Sequence, residues 1–333
     1  MSQEPIVVGL DIGTYWTKIA VARRLRDEQD PSVLALGIEP TSGVRKGVVV
    51  DIADTVHSIA AAYEVASKMV EEDIHSIVLA IDGAHLTARR VRGKVAVSRA
   101  DGEVTEEDVD RVLKAAEQAP TSANRRIIEM IRTSFTLDEE SGVKNPIGMN
   151  GIRLEVEALQ IEGSSSALKN LEKCVLDSGL AVSHEVISPV ASAEAVLDKR
   201  QKELGVAVVD IGAGTTSLAV YEEGKLIHMA VLPIGAGHIT NDLAIALKAP
   251  IEVAEKVKLK YGYATPDLVR GDVNTVISLS KISSEETGEC TRGFVAEVIE
   301  ARLREIFEYV NEELHTIERD RMLPAGIVLT GGG

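Results

Sequence analysis

The chain has 333 residues, with 36 Lys and Arg against 52 Asp and Glu, a formal charge of −16. That length makes two domains of ordinary size, and 45% hydrophobic with 26% charged residues is ordinary globular composition. The acidic balance excludes wrapping of nucleic acid, which needs clustered cations, but leaves nucleotide binding open, because backbone N–H groups supply a local positive field.

The first element is a hairpin. Residues 7–21, VVGLDIGTYWTKIAV, are an apolar run, an Asp, a glycine turn and a second β-branched run. The chain opens strand-like, with no basic-then-apolar leader, and no apolar run approaches the roughly 18 residues of a membrane span, so a soluble protein is expected. Residues 23–30 read as a charged turn and 33–40 as a strand. The segment 43–52 leads into a helix from about Asp54 to Val70, with Val56, Ile59, Ala60, Tyr63 and Ala66 as its apolar face. SIVLAID (76–82) reads as a buried strand of a sheet covered on both faces.

Residues 84–160 change character. LTARRVRGKVAV (86–97) alternates charged and apolar side chains, as an exposed or edge strand does. Thr105 caps a helix whose first turn is acidic and whose face is Val109, Val112, Leu113 and Ala116. A strand follows at 125–140, then GVKNPIGMNGIRLEVEALQIEG (142–163), and the whole reads as a small inserted subdomain. A helix from Ser164 ends at Gly179, and 181–197 is a strand passing into a helix.

The second half repeats the plan. Residues 206–220, VAVVDIGAGTTSLAV, match the first hairpin at an offset of 199, with Asp210 on Asp11, Thr216 on Thr17 and Ala219 on Ala20. A strand at 225–235 and helices at 238–247 and 249–262 follow. Residues 263–290 are polar and irregular, with one strand-like stretch, VNTVISL. A long helix is expected over about Arg292–Arg319, with Phe294, Val298, Arg302, Ile306, Val310, Leu314 and Ile317 as one stripe. AGIVLTGGG reads as a buried strand entering a glycine turn, a poor natural terminus, so truncation is expected. Cys174 and Cys290 have no metal-like spacing, which suits a cytosolic chain without structural disulfides.

Chemically, glycines without Cβ can turn N–H groups toward an anion, and an Asp at the strand end can orient a hydrated divalent cation. Asp11, Gly13, Thr14, Tyr15 and Lys18 in the first loop, Asp210, Gly212, Gly214, Thr215 and Thr216 in the second, and Gly331, Gly332 and Gly333 at the third make a consistent nucleotide site. Each has a plainer reading. One such turn is commonly only a hairpin turn, Lys18 only a solvated strand residue, and Glu255 with Lys258 only a surface ion pair. Repetition of the turn favours phosphate. No histidine spacing suggests a protein-ligated metal, and no Gly-x-Ser-x-Gly elbow is present.

The paired hairpins, the connecting segment and LTGGG resemble the actin, heat-shock chaperone and sugar kinase superfamily. Within it, VVGLDIGT, KGVVVDIADTVHSI, EVTEEDVDRVL, KNPIGMNGIRLE, ELGVAVVDIGAGTTSLAVY, AEVIEARLREIFEYVNEEL and AGIVLTGGG resemble the FtsA family of bacterial actin-like cell division proteins. KNPIGM is the most specific block. The resemblance implies an α/β, actin-like two-domain fold with a nucleotide cleft between duplicated cores. The first core (1A) covers 1–83 and 162–196, and the inserted subdomain 1C covers 84–161. The second core (2A) covers 197–249 and 306–333, and subdomain 2B covers 250–305. It further implies ATP with Mg²⁺, the cation held through water by Asp11 and Asp210, and the nucleoside held by Glu255, Lys258 and Gly331–Gly333.

No catalytic residue is assigned, and hydrolysis is expected to be weak or absent because no general base is identifiable. Implied partners are a second copy, joined head to tail through 1C, the C-terminal tail of tubulin-like FtsZ on 2B, with Arg302 at a contact position, and other division proteins. No nucleic acid is implied. Location is implied at the inner face of the cytoplasmic membrane at the division site, through a C-terminal amphipathic helix not in this sequence. The sequence departs from the family in Ala213, where Gly is common, and in the bulky Tyr15 and Trp16. Three alternatives stay open: a PilM-type pilus adaptor, although it should lack KNPIGM; a metabolic kinase of the superfamily; and a scaffold that has lost nucleotide.

Overall fold

A computed structural model describes residues 6–24 and 31–333. Most of the charged turn expected at 23–30 lies outside the described residues. The first core opens with β1 (Ile6–Ile12), β2 (Trp16–Arg23), β3 (Ser32–Pro40) and the short pair β4 (Val44–Arg45) and β5 (Val48–Val49). It continues with α1 (Ile52–Ser67) and β6 (Ser76–Ile81). The inserted segment holds β7 (Thr87–Ala96), α2 (Glu106–Glu117), β8 (Arg125–Leu137), β9 (Glu140–Val143) and β10 (Arg153–Ser164). The chain then returns through α3 (Ser165–Asp177), β11 (Ala181–Ile187), α4 (Ser188–Val196) and a short α5 (Lys199–Leu204) that the sequence reading missed. The second half comprises β12 (Val206–Ile211), β13 (Thr216–Glu222), β14 (Lys225–Leu232), α6 (Ala236–Leu247) and α7 (Ile251–Tyr261). It closes with β15 (Val276–Ser278), β16 (Glu289–Thr291), α8 (Arg292–Thr316) and β17 (Ile327–Thr330).

Two mixed sheets carry the two halves. The first runs β11-β6-β1-β2-β3 and the second β14-β13-β12-β17. In both, the hairpin is antiparallel while its first strand pairs in parallel on the other side, β1 with β6 and β12 with β17. The inserted segment is a third sheet, β7-β10-β8-β9, with α2 packed over Val91, Phe135, Leu154 and Val156. β7 is an edge strand, as its charge alternation requires. Thr105 caps α2 in a capping box with Asp108.

Four readings are corrected. The first sheet is packed fully on one face only: Ile77, Leu79 and Ile81 are buried with α1 and α3, whereas Val7, Leu36 and Ile38 stay exposed on the other face. An apolar strand such as β6 does not reveal which face lacks a cover. On α1, Thr55, Ser58 and Ala62 are buried with Ile59 and Ala66, and Ala60 is exposed. On α8, Ile306, Val310 and Leu314 are buried as expected, but nearer its start the buried residues are Val295, Ala296 and Ile299, while Phe294 is exposed. A strict four-residue spacing advances about 40° per step around a 3.6-residue helix, so such a stripe winds off the core. Finally, β17 is an edge strand with Ile327 and Leu329 exposed, not a buried one.

Candidate functional site

The two hairpin turns are built alike. Gly13 N–H donates to the Trp16 carbonyl at 3.0 Å, and Gly212 N–H donates to the Thr215 carbonyl at 2.9 Å, the equivalent bond 199 residues on. Behind each turn an inward threonine is fully buried. Thr17 shares a hydrogen bond with Thr41 at 2.8 Å, and Thr216 donates to the Ile234 carbonyl at 2.8 Å. Thr216 therefore fastens the turn to the chain after β14, and its hydroxyl proton is committed there rather than to a phosphate.

The turns face each other across the cleft. A Cβ on Gly214 would lie 2.6 Å from Thr14 Oγ1, so only glycine permits this approach. Thr14 Oγ1 accepts from Gly47 N–H at 3.2 Å and keeps its proton free to donate. The N-terminus of α6 is fastened to the second turn, with Ala236 N–H donating to the Gly212 carbonyl and Gly237 N–H to that of Ala213. The third glycine run abuts the same place. Gly331 has φ +104°, and a Cβ there would lie 2.7 Å from Asp210 Oδ1, while Gly333 N–H donates to the Ile211 carbonyl at 2.8 Å.

Carboxylates converge beneath the turns. Asp11, half exposed, pairs with Lys18 at 3.5 Å. Although it opens to the cleft, the protein packed around it displaces bulk water and raises its pKa; Lys18 opposes that rise, and the nearby charge of Asp210 adds to it. Asp210 accepts from Ser192 Oγ at 2.8 Å. A third carboxylate, Asp82 at the end of β6, was not singled out from the sequence. Burial pushes it up to about 6 against the hydrogen bonds of Gly83 N–H and Ser217, with Asp11 and Asp210 adding repulsion. Its only sequence signal is an Asp at the end of an apolar strand with a glycine after it, Asp82-Gly83, where the hairpins have Asp-Ile-Gly. Ser192 and Ser217 carried no signal at all.

The other predicted residues lie further along the second half. Lys258 Nζ donates to Thr240 Oγ1 at 2.9 Å and pairs with Glu255 at 2.8 Å, while Thr240 donates to Glu255 at 2.5 Å. Both charged groups are less than one-fifth exposed, so this is a packed triad between α6 and α7 rather than a loose surface pair. Thr240 lies one turn along α6 from Ala236. Tyr15 and Trp16 stack edge-on at 5.2 Å and are 49% and 40% exposed beside the first turn. Arg302 is bound in a fork to Asp242 of α6, at 2.6 and 2.9 Å, and is capped by Glu305. A separate surface cavity of about 740 Å³ lies along α8, lined among others by Leu303, Arg304 and Phe307.

Facing glycine turns suit a polyphosphate, and the carboxylates suit a hydrated cation. Among the described residues no three His, Cys, Asp or Glu are grouped closely enough to ligate a metal directly. Also among them, no helix is long and apolar enough to cross a membrane.

A family profile described as "Cell division protein FtsA" matches residues 207–324, and one described as "SHS2 domain inserted in FTSA" matches 83–161. Among solved structures, a PilM–PilN type IV pilus biogenesis complex superposes with a TM-score of 0.68 at 19% identity, covering 98% of this chain and 81% of that one. MreB5 of Spiroplasma citri, solved bound to AMPPNP, gives 0.55 at 14% identity, covering 100% and 86%. At those identities both show the fold, which is the actin-like one expected. The cell division protein FtsA of Pseudomonas aeruginosa is 38% identical over 327 residues, 98% of this chain and 77% of that protein. With that likeness along nearly its whole length, this chain belongs to the FtsA family of actin-like cell division proteins.

Proposed function

We propose that this protein is an ATP-binding assembly switch of cell division. The observation that carries the reading is the cleft itself: two glycine turns in close approach above Asp11, Asp82 and Asp210. The Thr14 hydroxyl and the backbone of Gly214 and Thr215 offer donors to phosphate oxygens, with Lys18 at the edge, while Gly13 and Gly212 shape the two turns, their own N–H groups closing them onto the Trp16 and Thr215 carbonyls. Asp11 and Asp210 would hold the waters of a Mg²⁺ ion, which supplies the positive charge a polyphosphate needs beside carboxylates. Glu255, Lys258 and the Gly331–Gly333 run are assigned to the nucleoside, and Tyr15 and Trp16 border the phosphate end. Hydrolysis is slow at most, because Asp82, a carboxylate that the structure adds to the cleft, is already engaged by two hydroxyls.

Nucleotide bound between the halves biases the population toward a closed, polymer-competent state, in proportion to its differential affinity. Subdomain 1C (84–161) joins copies head to tail. Subdomain 2B (250–305) receives the tail of FtsZ, other division proteins join the assembly, and the cores are 1A (1–83, 162–196) and 2A (197–249, 306–333). Arg302 serves that contact only by releasing Asp242, so its first role is to tie α8 to α6. On the same reading the protein works at the inner face of the cytoplasmic membrane at the division site.

Calorimetric titration with ATP, with and without Mg²⁺, tests the reading. Magnesium-dependent binding that Asp210→Ala abolishes is the expected result. Absence of binding to the unmodified protein overturns it.

A further inference from the structure

Two hydrogen bonds cross the cleft in opposite directions. Ser192 Oγ, on α4, donates to Asp210 of the second half at 2.8 Å. Ser217 Oγ, on β13, donates to Asp82 of the first half, 3.0 and 3.2 Å from its two oxygens, and Thr215 Oγ1 adds a longer contact at 3.4 Å. Each half thus supplies one carboxylate and one hydroxyl. Ser217 and Thr215 are only 3% and 6% exposed, so water is a poor substitute for the carboxylate they share.

The backbone beside Asp82 is held just as closely to the first turn. A Cβ on Gly47 would lie 2.4 Å from the Cα of Gly83, and Gly47 N–H donates to Thr14 Oγ1. Ala84 N–H donates to the Lys46 carbonyl at 3.2 Å, which clips the same two segments together. Asp82 is therefore in contact with both sides of the cleft: through its carboxylate with β13, one residue beyond the second hairpin's threonine, and through Gly83 and Gly47 with the hydroxyl of the first turn.

We propose that Asp82 is a positioning residue that sets the spacing of the two glycine turns, by accepting the Ser217 hydroxyl across the cleft. This deepens the nucleotide reading and rests on it for the affinity readout alone; the spacing exists in the ligand-free protein. Two roles for Asp82 are thereby separated. A residue that acted on the cation would do so without Ser217, whereas a spacing residue acts only through it.

The test is a double-mutant cycle on Asp82→Ala and Ser217→Ala, read by Mg-ATP affinity and by amide exchange of residues 212–215 in the ligand-free protein. Each single variant is expected to weaken binding about tenfold, as loss of a charge-assisted hydrogen bond does. The double variant should fall within about twofold of the weaker single variant, since the two share one interaction. Exchange at the turn should speed up in both single variants. Asp82→Asn, which keeps an acceptor oxygen, should restore slow exchange and near-normal affinity. Effects that multiply in the double variant overturn the proposal, as does a Ser217→Ala protein unchanged in both readouts. If the unmodified protein binds no ATP, the nucleotide reading falls and the exchange measurement alone decides the spacing role. Melting curves check that each variant folds; should Asp82→Ala fail to fold, Ser217→Ala and Asp82→Asn carry the same contrast.

Discussion

The two hairpins share a turn hydrogen bond and a buried threonine, yet they sit in opposite environments. In the first, Tyr15, Trp16 and Lys18 face outward, and β2 alternates buried and exposed residues. In the second, the equivalent positions are Gly214, Thr215 and Ser217, and β13 is buried along nearly its whole length. The pairing register puts Lys18 opposite Asp11 and Ser217 opposite Asp210. The first carboxylate thus has a cation facing it, whereas the second accepts from the Ser192 hydroxyl and the Ser217 opposite it turns to Asp82. One half is built to carry charge and bulk at the rim. The other is built small so that it can approach the first.

The sharpest way to break that asymmetry is to give the second turn a side chain. Gly214→Val places Cβ 2.6 Å from Thr14 Oγ1, so the turns must separate. We expect Mg-ATP affinity to fall at least about 100-fold, near 2.7 kcal/mol. Tyr15→Gly at the matching position of the first turn should cost far less. Calorimetry on both variants compares the two sides, and equal losses would remove the asymmetry.

The carboxylate cluster gives the next largest effect, in pH dependence. Asp82 titrates at about 6 in the folded protein, whereas an unfolded Asp titrates near 3.9. Between about pH 4 and 6 the native state keeps a proton that the unfolded chain has lost, so this group lowers stability as pH rises through that window. Below pH 4 the penalty is absent, and above 6 it is complete. Asp11 and Asp210 are the charges that act on it, both raising it further. Asp82→Asn removes the penalty, so urea unfolding should show the variant gaining roughly 1–3 kcal/mol relative to the unmodified protein between pH 4 and 7, at about 1.4 kcal/mol per pKa unit. A constant difference across that range would exclude the effect.

The shared feature should respond on both sides, by similar but unequal amounts. Thr17→Val and Thr216→Val each remove one buried hydroxyl bond without changing volume much. Each is expected to cost about 1 kcal/mol of unfolding free energy. The loss at Thr216 should be the larger, because the Ile234 carbonyl is left without that donor, whereas Thr41 can turn elsewhere.

Much of this was legible because local chemistry dictated it. The glycine turns, the Thr105 cap and the charge alternation of β7 are set within a few residues, and they fell where the sequence placed them. What was hidden depends on chain distant in sequence. Asp82 matters because β13, some 135 positions later, presents Ser217 to it. The Glu255–Lys258 pair lost its surface character because Thr240 of another helix sits between the two. The burial of α8 near its start departed from a four-residue stripe because helical geometry, not the run of large apolar letters, decides which side faces the core.

The smallest expected effect lies at the exposed end of the comparison. Trp16 is the only tryptophan, 40% exposed, and contacts Tyr15 edge-on. Its place in the turn is held by its backbone carbonyl, which accepts the Gly13 N–H whatever side chain it carries. Trp16→Ala should therefore change stability by no more than about 0.5 kcal/mol, as for a surface substitution. The matching change in the second turn, Thr215→Ala, strips a buried hydroxyl from Asp82 and should cost more. Chemical denaturation of the two variants measures the contrast directly, followed by far-ultraviolet circular dichroism because Trp16→Ala also deletes the sole indole fluorophore. A loss at Trp16 equal to or greater than that at Thr215 would mean that the bulky rim, and not the small inner turn, holds the cleft in shape.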